Sequence, residues 1–146
     1  MRRDPSLIPL SHQHHNGLAL CVLTRRSLAA GSSPGDLSKA ARRIVDRYQL
    51  ELVNHFEIEE QVLFPVCGNH PLIPSLIEDH RMLEKLAGEL ATAPSAAAIE
   101  RFCDLLSTHI RREEKELFEQ IQTDLPREVL DRVAGEIDRG AVRICL

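Results

Sequence analysis

The feature that most constrains the fold of this chain is a ten-residue pattern that occurs twice inside stripes of apolar residues. The pattern is H-x-x-x-E-E-x-x-L-F, and its two copies begin at His55 and at His109. Residues four apart on a helix are neighbours on one face, with about 5 to 6 Å between their Cβ atoms. Each copy therefore places an imidazole beside a carboxylate on a helix face that is otherwise apolar and suited to burial.

Loop signals rich in glycine, proline and serine divide the chain into five segments with apolar residues at helical spacing. Two cover residues 11–30 and 36–66, two begin near residues 75 and 95, and a short one covers residues 126–138. Asp36 and Ser95 are the predicted N-caps. At 146 residues the chain has the length of one domain, 1–146. We predict an all-α fold, an antiparallel up-down-up-down four-helix bundle with a short fifth C-terminal helix packed against it.

Histidine and glutamate interrupt these apolar stripes at matching heights in the predicted bundle. His55 with Glu59 and His109 with Glu113 lie in the long segments, and a third pair of the same spacing begins at His80. Burying an imidazole or a carboxylate is costly unless it is coordinated or hydrogen-bonded. For a single pair, a satisfied core pair or a surface pair is as good an explanation as metal ligation. The pairs taken together favour metal ligation.

The first segment must supply the fourth wall of the bundle, and it opens with three histidines. The spacing of the apolar residues around them allows either His14 or His15 to face inward. His12 is expected to face solvent or to support a ligand from outside. Both His14 and His15 therefore remain candidate ligands.

The donor types favour a pair of ions over a single one. Imidazole and carboxylate donors without thiolate suit iron or manganese, and six or more converging donors are too many for one tetrahedral zinc ion. We expect Glu59 and Glu113 to bridge two ions, with histidines as terminal ligands. The candidate metal ligands are His14, His15, His55, Glu59, His80, Glu84, His109 and Glu113.

These residues resemble the hemerythrin-like (HHE cation-binding) family, whose helices carry a histidine near the start, then HxxxE, a histidine, and HxxxE. Asn54-His55-Phe56 with Glu59-Glu60 is similar to the second-helix motif of the family, and the stretch from Leu10 to Leu18 is similar to the first. The resemblance covers nearly the whole chain. It implies two non-haem iron ions, of the kind that can carry an oxo or hydroxo bridge, rather than manganese or zinc. The ligands it implies are His14 or His15, His55, Glu59, His80, His109 and Glu113.

The third helix departs from the family pattern. Oxygen-carrying hemerythrins have two histidines one turn apart there, whereas His80 has Leu76 and Glu84 at these positions. Glu84 either fills the gap as a ligand or faces water at the edge of the bundle. A carboxylate or water in place of an imidazole favours harder, higher-valent iron, which argues against reversible oxygen carriage.

Two classes of function follow from these expectations. The first is a non-catalytic di-iron module that binds or senses O2, nitric oxide, or iron and redox status. The second is a di-iron enzyme that consumes peroxide or nitric oxide, suggested by the carboxylate-rich third helix and by Tyr48, two turns before His55. Iron storage or buffering, and a structural bundle without metal, are further alternatives.

Charge and hydropathy narrow the choice of partners and compartment. A net charge of -4 gives no basic face for nucleic acid or for an anionic membrane. The longest apolar run, Leu18 to Leu23, is too short for a membrane span or for the core of a signal peptide. Four scattered cysteines are expected to be reduced, with Cys21 and Cys103 buried as small apolar residues, and we expect a cytoplasmic protein.

Overall fold

The computed structural model describes residues 2–144, and within this range the chain forms five helices and no strand. A 3-10 turn, Pro5–Leu7, leads into α1, Ile8–Ala30, and α3 is Ile73–Thr92. Helix α2 covers residues 34–66 and α4 covers residues 96–124; both are continuous but contain π-helical turns. The short α5 is Arg127–Gly140. The all-α prediction is confirmed.

The N-termini of α2 and α4 show which capping predictions hold. The prediction of Asp36 as N-cap is wrong, because the hydroxyl of Ser33 accepts the N–H of Asp36 at 3.2 Å and thus caps the helix. The carboxylate of Asp36 accepts the N–H of Ser33 in return, at 3.1 Å, which completes a capping box. Pro34 fits the first turn because no N–H is needed there. Ser95 caps α4 as predicted.

The four long helices contact one another in a ring, α1 with α2, α2 with α3, α3 with α4, and α4 with α1. Hydrogen bonds between α1 and α2 join Gln13 to Asn54 and Ser27 to Arg43, so these two helices run in opposite directions. Helix α5 packs on the 3-10 turn, on α1 and on α2, through Leu130, Val133 and Ile137. The exact up-down-up-down topology stays a prediction.

The core consists of two apolar clusters with a polar layer between them. One cluster contains Phe56, Leu83 and Leu106, and the other contains Leu10, Leu63 and Leu117. The layer consists of His14, His55, Glu59, His80, His109 and Glu113, and along each long helix these residues lie between residues of the two clusters. The polar layer is therefore enclosed by apolar side chains at both ends.

The cysteines are consistent with the expected small apolar residues. Cys21 and Cys103 are free and buried, Cys67 is partly buried, and Cys145 lies outside the described residues. Among the helices of residues 2–144, none combines the length and the apolar character that a membrane crossing requires.

Candidate metal centre

Six buried side chains converge in the polar layer and form two overlapping groups. Within each group, one candidate ligand atom per residue lies within 4.8 Å of all the others. Both groups contain Glu59 and Glu113, so the arrangement can hold two cations that share these carboxylates. We call the groups the His14 site, with His14, His55, Glu59 and Glu113, and the His80 site, with Glu59, His80, His109 and Glu113.

The distances across the centre connect each histidine to a shared carboxylate through its Nε2 atom. In the His80 site, Nε2 of His80 lies 3.1 Å from Oε1 of Glu59, and Nε2 of His109 lies 3.2 Å from Oε1 of Glu113. In the His14 site the corresponding distances are 3.0 Å, from His14 to Glu113, and 3.3 Å, from His55 to Glu59. Both glutamates are 0% exposed, so the whole centre is shielded from water.

Several of these buried polar atoms have no hydrogen-bond partner. They are Nε2 of His55, His80 and His109, both carboxylate oxygens of Glu59, and Oε2 of Glu113. Buried polar atoms in proteins are nearly always paired, so a cluster of unpaired atoms that face one another requires an explanation. Imidazole nitrogens and carboxylate oxygens are suitable donors for iron and manganese, and the residues therefore fit bound cations.

The other ring nitrogen of each histidine has an acceptor in the surrounding protein. Nδ1 of His14 lies 2.6 Å from Glu114, that of His55 lies 2.8 Å from Gln13, that of His80 lies 2.7 Å from Glu60, and that of His109 lies 2.9 Å from Asp79. An acceptor at Nδ1 fixes the tautomer that carries its proton there. The Nε2 lone pairs are then free to face the centre.

Two of these four Nδ1 acceptors belong to the repeated sequence pattern. The second glutamate of each copy holds a histidine from a helix outside the repeat: Glu60 holds His80, and Glu114 holds His14. The closing phenylalanine stacks on the same histidine, Phe64 on His80 at 5.9 Å and Phe118 on His14 at 5.3 Å between ring centroids. Sequence reasoning missed these residues, although the repetition of both was a signal.

The three supporting carboxylates each form an ion pair with an arginine. Arg81 pairs with Glu60, Arg3 with Glu114 at 3.1 Å, and Arg112 with Asp79 at 3.3 Å. The arginine pairs and histidine contacts lower the pKa values of Glu60 and Glu114, even though burial opposes ionisation. These two groups are therefore carboxylates at neutral pH.

The two shared glutamates differ in their protonation. Burial, and next the negative charge of Glu113, raise the pKa of Glu59 well above its ordinary value. Burial also acts on Glu113, but the contacts with His109, Glu59 and His14 outweigh it and hold the pKa of Glu113 well below the usual range. Without a cation the pair of carboxyl groups therefore holds one proton. A bound cation would take the place of that proton.

The backbone is irregular at both shared glutamates. Glu59 begins the π-helical turn Glu59–Leu63, and Glu113 begins the π-helical turn Glu113–Phe118. In the first of these turns, the N–H of Phe64 bonds to the carbonyl of Glu59, five residues earlier. Single π turns inside α-helices occur frequently at functional sites. The two copies of the repeat therefore share a backbone feature as well as their residues.

Two of the predicted ligands lie outside both groups. His15 is exposed, because adjacent residues on a helix point about 100° apart and His14 occupies the inward direction. Glu84 is also exposed, and it lines a pocket with Tyr48, Phe56 and His80. His12 is exposed as expected.

Alanine substitutions at the two adjacent histidines will separate their roles. We expect His14→Ala to remove at least one bound cation per chain, because it deletes a donor of the His14 site. His15→Ala, its matched control on the exposed face, will keep the full metal content. Metal analysis of both purified variants checks this, and equal loss in the two variants would contradict it.

The comparisons with known proteins give one match. The family model described as the hemerythrin HHE cation binding domain matches residues 7–138. No curated protein and no solved structure matches the chain. The matched range contains all six residues of the two groups.

Proposed function

This chain belongs to the hemerythrin HHE cation-binding domain family, and on that premise we propose that it is a non-haem di-iron protein that binds a small ligand such as O2 or nitric oxide. The observation that carries the proposal is the pair of buried groups that share Glu59 and Glu113. Each group offers two imidazoles and two carboxylates. Structural zinc sites instead rely mainly on thiolate and imidazole donors in closed tetrahedra.

Bound iron would supply open coordination positions for a diatomic molecule and the ability to change oxidation state. The residues of the chain do the remaining work. Glu60, Glu114, Gln13 and Asp79 orient the four histidines, and the apolar clusters on either side exclude water. Because the centre is fully enclosed, it favours a ligand of only a few atoms.

A pocket of about 290 Å³ offers such a ligand an approach. Its wall includes His80 and Phe56, whose rings stack with 4.0 Å between centroids, and Glu60 and Tyr48 lie beside them. A small molecule in this pocket would therefore be one aromatic ring away from the centre. The pocket therefore supports access of a small ligand to the centre.

Metal content and the ultraviolet-visible spectrum of the purified protein test the proposal. We expect close to two irons per chain, with charge-transfer bands that change on reduction and return on exposure to air. Glu116→Gln changes an exposed glutamate of the same helical turn as Glu113 and should contain as much iron as the native protein. Protein that contains no iron and takes up none on reconstitution would refute the proposal.

A di-iron enzyme is the second candidate, and one observation favours it. The ring of Tyr48 lies 6.4 Å from that of Phe56, which in turn stacks on His80. A phenol connected to His80 through one aromatic ring is suited to redox chemistry on peroxide or nitric oxide at a bound iron. Stoichiometric consumption of these molecules by the loaded protein supports binding or sensing, repeated turnover supports the enzyme, and uptake of many irons per chain supports storage.

The cytoplasmic location and the lack of nucleic-acid and membrane partners stay predictions from composition and charge. We propose the cytoplasmic location together with the role of a di-iron protein that binds or senses a small ligand. Fractionation of cells that produce the protein would test the location.

A further inference from the structure

The same arrangement of residues around the centre occurs in two helix pairs, α1 with α2 and α3 with α4. In the first pair, the dipeptide Gln13-His14 faces the repeat that begins at His55; in the second, Asp79-His80 faces the repeat that begins at His109. In each pair the residue before the lone histidine accepts a hydrogen bond from Nδ1 of the repeat histidine. The outer contacts of the two sites therefore correspond one to one.

The outer acceptors of the two sites differ in charge at one position. His109 donates to the carboxylate of Asp79, whereas His55 donates to the neutral amide of Gln13. Since His80 and His14 both donate to a glutamate, the His80 site has two supporting carboxylates and the His14 site has one. Replacing an amide acceptor by a carboxylate strengthens the hydrogen bond and makes the imidazole a stronger metal ligand.

The amide at Gln13 is held in place by its surroundings. Its Nε2 donates to Oδ1 of Asn54 at 3.2 Å and to the carbonyl of Val142 at 3.1 Å, so its oxygen must face His55. A carboxylate here would meet two further acceptors and be repelled by both. The segment after α5 thus favours a neutral side chain at Gln13.

The single carboxylate of the His14 site is also more strongly compensated. Glu114 accepts hydrogen bonds from Ser11 on both oxygens, in addition to those from Arg3 and His14. The side chain of Arg3 is 16% exposed, whereas that of Arg81, which pairs with Glu60, is 58% exposed. Water screens the exposed pair more, so Glu60 keeps more of its effect on His80.

We infer that the two cation sites are unequal, and that the His80 site binds the first and tighter cation while the His14 site holds the second and weaker one. The inference rests on the proposed pair of cations, and it assigns Asp79 as the positioning residue that makes the difference. Both shared carboxylates belong to both sites, so the difference that we assign lies in the outer partners.

Anaerobic titration with cobalt(II) alone, followed by its visible spectrum and by calorimetry, tests the order of binding. We expect two steps separated by about 10-fold or more in affinity, as is typical for loss of an outer partner of a ligand histidine. Asp79→Asn turns the carboxylate into an amide and leaves each site with one carboxylate and one amide. It should weaken the first step by about 10-fold and bring the two steps together.

Two further carboxylate-to-amide variants give opposite results on the same assay. Glu114→Gln should weaken the second binding step and widen the separation between the steps. Glu60→Gln should weaken the first step, and it replaces Asp79→Asn as the test if that variant folds poorly. The matched control is Asp104→Asn, on α4, where the aspartate forms an exposed ion pair with Arg25 of α1 and contacts no histidine; it should change neither step.

The outcomes distinguish this inference from the proposed function. If two cations bind with equal affinity, or if Asp79→Asn leaves the separation unchanged, the inference is wrong and the two-cation centre stands. A separation that survives Asp79→Asn would come from the shared carboxylates instead. Binding of fewer than two cations by the native protein would refute the two-cation centre and with it the inference.

Discussion

Replacing either shared glutamate by glutamine will abolish binding of both cations. Glu59 and Glu113 belong to both groups, so one substitution removes a donor from each site. An amide offers one neutral oxygen where a carboxylate offers two charged ones, and it cannot bridge two cations as effectively. Metal analysis after reconstitution should show a residual content near zero for Glu59→Gln and Glu113→Gln. Full loading of either variant would contradict the bridging roles.

The same substitution at Glu59 should stabilise the protein when metal is absent. Both oxygens of Glu59 are buried without partners, and burial raises its pKa, so the folded state opposes its ionisation. The raised pKa therefore lowers the free energy of unfolding at neutral pH. This loss disappears as the pH falls towards the ordinary pKa of a glutamate in the unfolded chain. Glutamine carries no charge, so nothing ionises at this position in either state.

Urea denaturation of the metal-free proteins measures this gain. We expect Glu59→Gln to raise the free energy of unfolding by at least about 1 kcal/mol at pH 7, the order of cost for one unsatisfied buried group. The gain should shrink near pH 4, where Glu59 is protonated in both states. Loss of stability at pH 7 would show that Glu59 is satisfied in the metal-free protein. Site residues that destabilise a fold are common where function requires them.

The sequence predicts most of the fold because the polar interruptions stand out against apolar stripes. The residues at helical spacing along α3 and α4 are all buried: Leu76, His80, Leu83, Ala87 and Leu90 on α3, and Ile99, Phe102, Leu106, His109, Glu113, Leu117 and Ile121 on α4. The repeat made the pairing of Glu59 with Glu113 visible, since each copy carries one of them. Helical periodicity and burial cost are thus sufficient to find the elements and the two central carboxylates.

The choice between His14 and His15 depends on the residue at which α1 begins. The helix begins at Ile8 after a 3-10 turn, earlier than predicted, and Leu7, Leu10, His14, Gly17 and Cys21 then form one buried stripe. Gly17 belongs to it because α4 comes so close that an added Cβ would lie 2.9 Å from Cδ1 of Ile110. Reading a glycine as a buried position would have favoured His14 from sequence.

The histidine that each outer partner contacts could not be read from local patterns, even for Glu60 and Glu114, which the repeat marks. Glu114 contacts His14 across 100 residues of sequence, and Gln13 contacts His55 across 42. Such pairs depend on the relative rotation and height of two helices, which helical periodicity leaves undetermined. Glu84 illustrates the same limit, since its spacing to His80 matches that of the other pairs but its side chain is exposed.

Removing the cations should lower the stability of the native protein strongly. A cation bound only by the folded state stabilises it by about 4 kcal/mol when its free concentration is about 1,000 times the dissociation constant. At about 2 to 4 °C per kcal/mol for a domain of this size, loss of one such cation lowers the unfolding temperature by about 10 °C, so chelation of both should lower it by at least this much. Differential scanning calorimetry with and without metal measures this, and Glu113→Gln is the control that should show no shift. A structural bundle without a metal site would give the same unfolding temperature in both conditions, because its folding would not be linked to the cation.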